Sequence, residues 1–125
     1  MTVQFISRQI HARIGWLLVA TVTVLSLVPG VPIPQTVPGY SDKVAHALVY
    51  CGLTMWFVVA VLRHRWRVIS AWMFLLGAAL EACQAIVPYR MASLEDIVAN
   101  SVGIILGLLL TTLLITGSRT LGRAE

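Results

Sequence analysis

Four long apolar runs divide the chain, and short polar stretches separate them. The runs cover residues 14–28, 44–62, 68–87 and 97–115. The last three contain 19, 20 and 19 residues, close to the roughly 20 that a helix needs to cross the hydrocarbon core of a bilayer. The pattern therefore predicts an all-α fold, an integral membrane four-helix bundle. Its transmembrane helices are expected at about 14–29, 43–62, 67–87 and 94–116.

The first run is shorter than the others, with 15 residues. Pro29 and Pro32 are expected to end regular helix near Val28, because proline disfavours helix at its own position and at the residue before it. A secretory signal peptide is the alternative interpretation of such a run. No Ala-x-Ala-like cleavage site follows it, so we expect it to be retained as a transmembrane helix.

Composition supports a membrane location, and charge predicts an orientation. Hydrophobic residues make up 58% of the chain and charged residues 11%, whereas soluble domains carry about 25% charged residues. Seven of the nine lysines and arginines lie at one set of helix ends: Arg8, Arg13, Arg63, Arg65, Arg67, Arg119 and Arg123. Because basic residues mark cytoplasmic loops, both termini should be cytoplasmic. These residues flank helices and form no basic face, so no nucleic-acid partner is expected.

Polar residues that interrupt the apolar pattern lie toward the helix ends opposite to these seven arginines. They are Asp42, Lys43, His46, Tyr50, Glu81, Gln84, Arg90, Ser93, Asp96 and Asn100. Ionisable side chains are costly in a membrane and mark functional sites there, and spacings of three or four place neighbours on one helix face. We therefore expect one outward-facing pocket, with the first helix as a wall. Glu95 is expected outside it, about 100° around the helix from Asp96.

Several residues also predict where helices begin and where they touch. Ser41 or Asp42 suits the N-cap of the second helix, because a side-chain oxygen there accepts from an unpaired backbone N–H. Ser93 suits the N-cap of the fourth, and Asp96 would complete a Ser-x-x-acid capping box. Small residues repeat every four positions on the fourth run, at Ala99, Gly103 and Gly107. Their spacing predicts a close approach by another helix.

Glu81 is the polar residue that most needs a partner. It lies inside the third run, where a carboxylate requires a cation, a proton or access to water. Lys43, His46 and Arg90 are the candidate cations, since each is expected at the same end of the bundle. A pairing between Glu81 and one of them would neutralise the carboxylate charge inside the pocket.

Most of these residues also have a purely structural interpretation, which stays open at this point. Asp42 and Lys43 also suit an interfacial cap and a cation that extends its ammonium to the membrane surface. Gln84 and Asn100 suit interhelical hydrogen bonds. Arg90 suits an anchor at the membrane interface. What favours a functional site is the gathering of all of them on one side of the membrane.

Other chemistry is sparse in the sequence. His46, Glu81 and Asp96 offer one nitrogen and two oxygens to a metal, but no closely spaced ligand pair supports a site, so neither a metal nor a cofactor is expected. Cys51 and Cys83 lie off the polar faces and are expected to be small core residues. A disulfide between them is left open, because its geometry decides whether it forms.

Two segments resemble the signatures of the VanZ-like family. The first, residues 41–50, reads SDKVAHALVY; the second, residues 81–107, reads EACQAIVPYRMASLEDIVANSVGIILG. Order, spacing and residue types match over about residues 40–110. Ala47 departs from the pattern, since an aromatic residue is common there in the family. The polar positions listed above all match.

The resemblance implies a small multi-helix membrane protein, with residues 1–125 forming a single VanZ-like membrane domain. It also implies a multi-pass location in a bacterial inner, or cytoplasmic, membrane. The name-giving member of the family is associated with resistance to teicoplanin, a lipoglycopeptide that binds cell-wall precursor outside the membrane. Resistance is therefore a hypothesis for this chain, because membership alone does not imply it.

Three functions remain as hypotheses. The first is recognition of an anionic lipid-linked or cell-envelope ligand, such as a cell-wall precursor or glycan, with Lys43 and Arg90 meeting phosphate or carboxylate. The second is a membrane enzyme in which His46, tuned by Glu81 or Asp96, acts as acid and base on a lipid-linked phosphate or glycan. The third is a scaffold whose polar cluster only joins helices. Membrane lipid is a partner in all three, and the oligomeric state stays open.

Overall fold

The structure, a computed structural model, consists of helices over the residues it describes. It describes the backbone of residues 2–28, 40–61, 64–88 and 92–121, and the side chains of these ranges from residue 8 to residue 117. The helices are α1 (Thr2–Leu27), α2 (Ser41–Trp56, continued by a π-helical turn at Phe57–Val61), α3 (Trp66–Gln84) and α4 (Leu94–Leu121). All four are long and apolar enough to cross a membrane. The predicted all-α fold is confirmed, and the orientation of the termini stays a prediction.

Apart from the start of α1, the helix bounds lie within about five residues of the predicted ones; α3 ends at Gln84 rather than 87, and α4 ends at Leu121 rather than 116. Helix α1 begins at Thr2, well before the predicted residue 14. Helical hydrogen bonds are local and do not require an apolar sequence, whereas hydropathy marks only the part suited to hydrocarbon, here Arg8–Leu27. The end of α1 at Leu27 agrees with the expected effect of Pro29.

The start of α2 differs from the predicted cap. Tyr40 holds the N-cap position, and its side chain makes no capping hydrogen bond. Ser41 and Asp42 therefore lie inside the first turn rather than before it. A carboxylate in the first turn still favours the helix, because it faces the positive end of the helix dipole. The N-cap prediction for Ser41 or Asp42 was wrong by one to two positions.

The closest packing in the bundle joins α2 to α4, and it depends on glycine. A Cβ placed on Gly103 would collide with the carbonyl oxygen of Ala47, and one on Gly107 would lie 2.7 Å from the carbonyl oxygen of Cys51. The two backbones approach closely only because these positions carry no side chain. The expected role of the small-residue repeat on α4 is confirmed at both glycines.

Hydrogen bonds at the basic end hold α1 against α2 and its π-helical turn. The Arg8 guanidinium Nε donates to the carbonyl oxygen of Val61 at 2.9 Å. The indole Nε1 of Trp56 donates to the carbonyl oxygen of His11 at 3.0 Å. The start of α1 and the end of α2 therefore lie at one end of the bundle. The end of α1, the start of α2, the end of α3 and the start of α4 lie at the other.

Much of the helix surface is apolar and exposed. Leu17 on α1 and Leu113 on α4 are each about two-thirds exposed, at 67% and 68%. A soluble protein rarely exposes large apolar surface over several helices, but hydrocarbon chains of lipid cover it in a membrane. The outward faces of the helices therefore suit contact with lipid.

Replacing Gly103 by alanine tests the α2–α4 contact. The added methyl group must displace the backbone at Ala47, so Gly103→Ala should destabilise the bundle by about 1–3 kcal/mol. Gly52 is the matched control, because a Cβ there meets no atom within 4 Å. Gly52→Ala should be neutral or stabilising by up to about 1 kcal/mol. Thermal unfolding in one detergent, followed by circular dichroism, measures both, and equal midpoints would contradict the proposed packing.

Candidate functional site

A cavity of about 180 Å³ lies at the end of the bundle away from the arginines described above. Its polar lining comes from α2, α3 and α4: Asp42, His46, Tyr50, Glu81, Gln84 and Asn100. α1 contributes Val22, Leu25 and Ser26, as expected of a wall. α2 and α3 also contribute the apolar residues Ala45, Val49 and Leu80, so the cavity has a mixed polar and apolar lining.

Lys43 binds two carboxylates of α4 rather than facing the cavity. Its ammonium Nζ lies 3.1 Å from Asp96 Oδ1 and 3.3 Å from Glu95 Oε2. The Asp96 side chain is buried, at 7% exposure, whereas that of Glu95 is 76% exposed. Glu95 was predicted to lie outside the pocket and does not line the cavity. Even so, the long lysine side chain can reach it as well as its neighbour Asp96.

His46 is oriented by an amide from α4. Its ring nitrogen Nδ1 lies 3.0 Å from Asn100 Oδ1, and Asn100 is only 3% exposed. Because an amide oxygen only accepts, the bond favours the imidazole tautomer that carries its hydrogen on Nδ1 and its lone pair on Nε2. The bond fixes both the ring orientation and the nitrogen that is available for proton transfer or coordination.

Among the described residues, Glu81 accepts a hydrogen bond from the backbone and not from a cation. Its Oε2 receives the backbone N–H of Ser93 at 3.0 Å, and Ser93 Oγ accepts the N–H of Glu95 at 3.2 Å. The predicted N-cap at Ser93 is therefore present. In the predicted capping box, Asp96 would accept the backbone N–H of Ser93. In the structure Glu81 of α3 accepts it, and Asp96 binds Lys43. Of the three candidate cations, Lys43 binds Asp96 and His46 bonds to Asn100. Arg90 lies outside the described residues, so its pairing with Glu81 stays a prediction.

Gln84 connects α3 to the end of α1. Its amide Nε2 donates to the carbonyl oxygen of Ser26 at 2.8 Å. Ser26 lies in the last turn of α1, where backbone carbonyls have no partner within their own helix. Gln84 therefore satisfies a helix end and holds the apolar wall of the cavity in place. No residue pattern could have indicated Ser26, because its contribution here is a main-chain oxygen.

Tyr50 lines the cavity and carries a buried hydroxyl. The residue is 2% exposed, and its Oη has no hydrogen-bond partner among the described residues. A Cβ built on Gly77 would lie 3.2 Å from that oxygen and 2.9 Å from Asn100 Nδ2. A buried hydroxyl without a partner costs about 1–3 kcal/mol, so this group reduces the stability of the bundle unless a bound molecule satisfies it.

The predicted site residues divide into three groups. Six line the cavity: Asp42, His46, Tyr50, Glu81, Gln84 and Asn100. Three lie beside it and bind one another or its lining, namely Lys43, Ser93 and Asp96. Arg90 lies outside the described residues, so its place in the site stays a prediction. The cysteines are free, and Cys83 is exposed rather than in the core.

A family model described as VanZ/LLP1 matches residues 3–115, nearly the whole chain. The chain belongs to the VanZ/LLP1 family. The match extends the resemblance from the two signature segments to α1. Together with the four candidate spans, it makes this VanZ/LLP1 chain a multi-pass membrane protein. Neither a curated protein nor a solved structure matches the chain.

Two substitutions of Glu81 test its bond to the start of α4 in this VanZ/LLP1 protein. Glu81→Ala leaves the N–H of Ser93 without its acceptor and should cost about 1–3 kcal/mol of stability. Glu81→Gln keeps an acceptor oxygen and should cost less. Glu95→Gln is the control, because that side chain is 76% exposed. Unfolding in detergent measures all three, and an Ala variant as stable as the parent would refute the role of the bond.

Proposed function

We propose that this VanZ/LLP1 protein binds the polar part of a lipid-linked or cell-envelope ligand in the cavity, from the outer side of a bacterial cytoplasmic membrane. The observation that carries the proposal is the mixed lining of the cavity. Its two kinds of lining are the polar side chains of α2, α3 and α4 and apolar residues that include Val22 and Leu25 of α1 and Leu80 of α3. An amphiphile in a membrane presents the same two kinds of surface.

The size of the cavity limits how much of a ligand enters. Pockets for drug-sized ligands measure about 300–1,000 Å³, and this one measures about 180 Å³. A phosphate or part of one sugar is therefore a better match than an entire cell-wall precursor. The rest of the ligand would lie in the lipid beside α1 or outside the membrane.

The charges beside the cavity support binding of both hydroxyl groups and an anion. Asp42 and Glu81 line the cavity and accept hydrogen bonds from sugar hydroxyl or amide N–H groups. Lys43 supplies a positive charge next to them. Its contact with the exposed Glu95 is a surface ion pair, and such pairs are weak. A ligand phosphate can therefore replace Glu95, and Arg90 is proposed as a second cation.

An enzyme is the second candidate, and the His46–Asn100 bond favours it. That bond leaves Nε2 free on a ring that lines the cavity, the arrangement needed by a general base. The described residues include no nucleophile activated by this histidine, so recognition remains the first choice. A scaffold is less well supported, because Asp42 and Tyr50 face the cavity without partners among the described residues.

Substituting His46 separates recognition from catalysis. With a polyisoprenyl phosphate as probe, His46→Gln should weaken binding by about 1–2 kcal/mol, because one hydrogen bond to the ligand is lost. His64→Gln is the matched control, since His64 is exposed at the basic end. Binding is measured by native mass spectrometry of the detergent-purified chain. Unchanged probe binding together with loss of turnover of a lipid-linked phosphate would favour the enzyme.

The orientation of the chain needs its own test, because the proposal requires the cavity to face outward. The seven basic residues at one end against two at the other predict that a reporter fused after Glu125 is cytoplasmic. A reporter inserted near Gln35 should be external. In a background lacking Cys51 and Cys83, a cysteine at residue 120 should resist labelling in intact cells. Labelling there from outside would reverse the orientation and the proposed direction of ligand entry.

A further inference from the structure

Three ligating side chains converge where α2 faces α4. Asp42 and His46 lie four residues apart on α2, and Asp96 faces them from the first turn of α4. One carboxylate oxygen from each aspartate and one ring nitrogen of His46 all lie within 4.8 Å of one another. The glycine contact between α2 and α4 sets this distance. Asp42 replaces Glu81 in the trio that the sequence had suggested as possible ligands.

Each of the three side chains keeps an atom available for coordination. Asp42 makes no hydrogen bond or ion pair with another described side chain. His46 uses Nδ1 for Asn100 and keeps the lone pair on Nε2. Asp96 contacts Lys43 through Oδ1 and keeps Oδ2. These atoms are therefore not used in the described contacts between the helices.

Two neighbours add independent support for a bound ligand. A histidine that binds a metal almost always donates its other N–H to an oxygen that orients the ring, and Asn100 Oδ1 has this position at 3.0 Å. Tyr50, 2% exposed, lies one turn further along α2 and lines the same cavity as Asp42 and His46. Its buried hydroxyl has no hydrogen-bond partner among the described residues. Neither observation depends on the proximity of the carboxylates.

We propose that Asp42, His46 and Asp96 bind one divalent transition-metal cation. One imidazole nitrogen with two carboxylate oxygens suits Zn²⁺ and similar ions, and three protein ligands leave further coordination positions open. In the absence of the cation, the Lys43 ammonium balances the charge of Asp96. When the cation binds, Lys43 keeps Glu95 as a partner, because that carboxylate already lies 3.3 Å from Nζ.

A cation at this point gives the cavity an anion-binding group, a consequence that rests on the proposed function. The described charged side chains that line the cavity are acidic, Asp42 and Glu81, and they repel a phosphate. A dication bound to Asp42 neutralises that carboxylate and offers an open coordination position to a phosphate oxygen. The ligand class is then a lipid-linked phosphate bound through metal.

The test of the site uses the metal alone. The full chain is purified in detergent, stripped with a chelator and titrated with Zn²⁺ in a calorimeter. The parent should bind one ion per chain, and Asp42→Asn and His46→Gln should not saturate at concentrations that saturate the parent. His64→Gln is the matched control, since it removes an exposed histidine at the other end of the bundle and should bind like the parent. Asp42 is exposed, so its substitution should leave the fold intact.

Two results would overturn the metal site: a parent without saturable binding, or an Asp42→Asn variant that binds as the parent does. A second arm adds a polyisoprenyl phosphate with Zn²⁺ or with chelator, and binding should be tighter with Zn²⁺ in the parent but not in Asp42→Asn. Equal lipid binding in both conditions would remove the metal from recognition while the proposed function stands. Absence of lipid binding in both would refute the proposed function and leave the Zn²⁺ titration to decide the site.

Discussion

The close contact between α2 and α4 is the constraint on which the rest of the site depends. Gly103 and Gly107 let the α4 backbone approach carbonyl oxygens of α2 at Ala47 and Cys51. One to two turns away, the same approach brings Lys43 to Asp96 and His46 to Asn100. A larger side chain at either glycine would separate these pairs, because side chains cannot compensate for a displaced helix axis.

The polar groups at this end satisfy one another across helices rather than within them. Glu81 of α3 accepts the N–H that precedes α4, and Gln84 donates to a carbonyl oxygen at the end of α1. Such bonds meet the requirement that backbone groups at membrane depth have partners. They also leave Asp42 and His46 lining the cavity, so the same network both holds the bundle together and leaves two groups for a ligand.

Sequence alone determined the number of membrane helices, the faces that carry polar residues and the family. Each follows from local pattern: about 20 apolar residues span a bilayer, and spacings of three and four share a helix face. The glycine repeat on α4 was likewise sufficient to predict close packing. The early start of α1 at Thr2 was missed, because hydropathy reports suitability for hydrocarbon and not helical conformation.

Only the tertiary structure decided which polar residues bind which. Lys43 pairs with Asp96 and Glu95 instead of Glu81, and Glu81 takes the N–H of Ser93. Asp42, which the pattern also allowed as a helix cap, joins His46 and Asp96 in the proposed metal site. The physical reason is that rotation about each helix axis, relative depth and axis separation set these distances. Those quantities arise from packing between helices, and the pattern within one helix does not contain them.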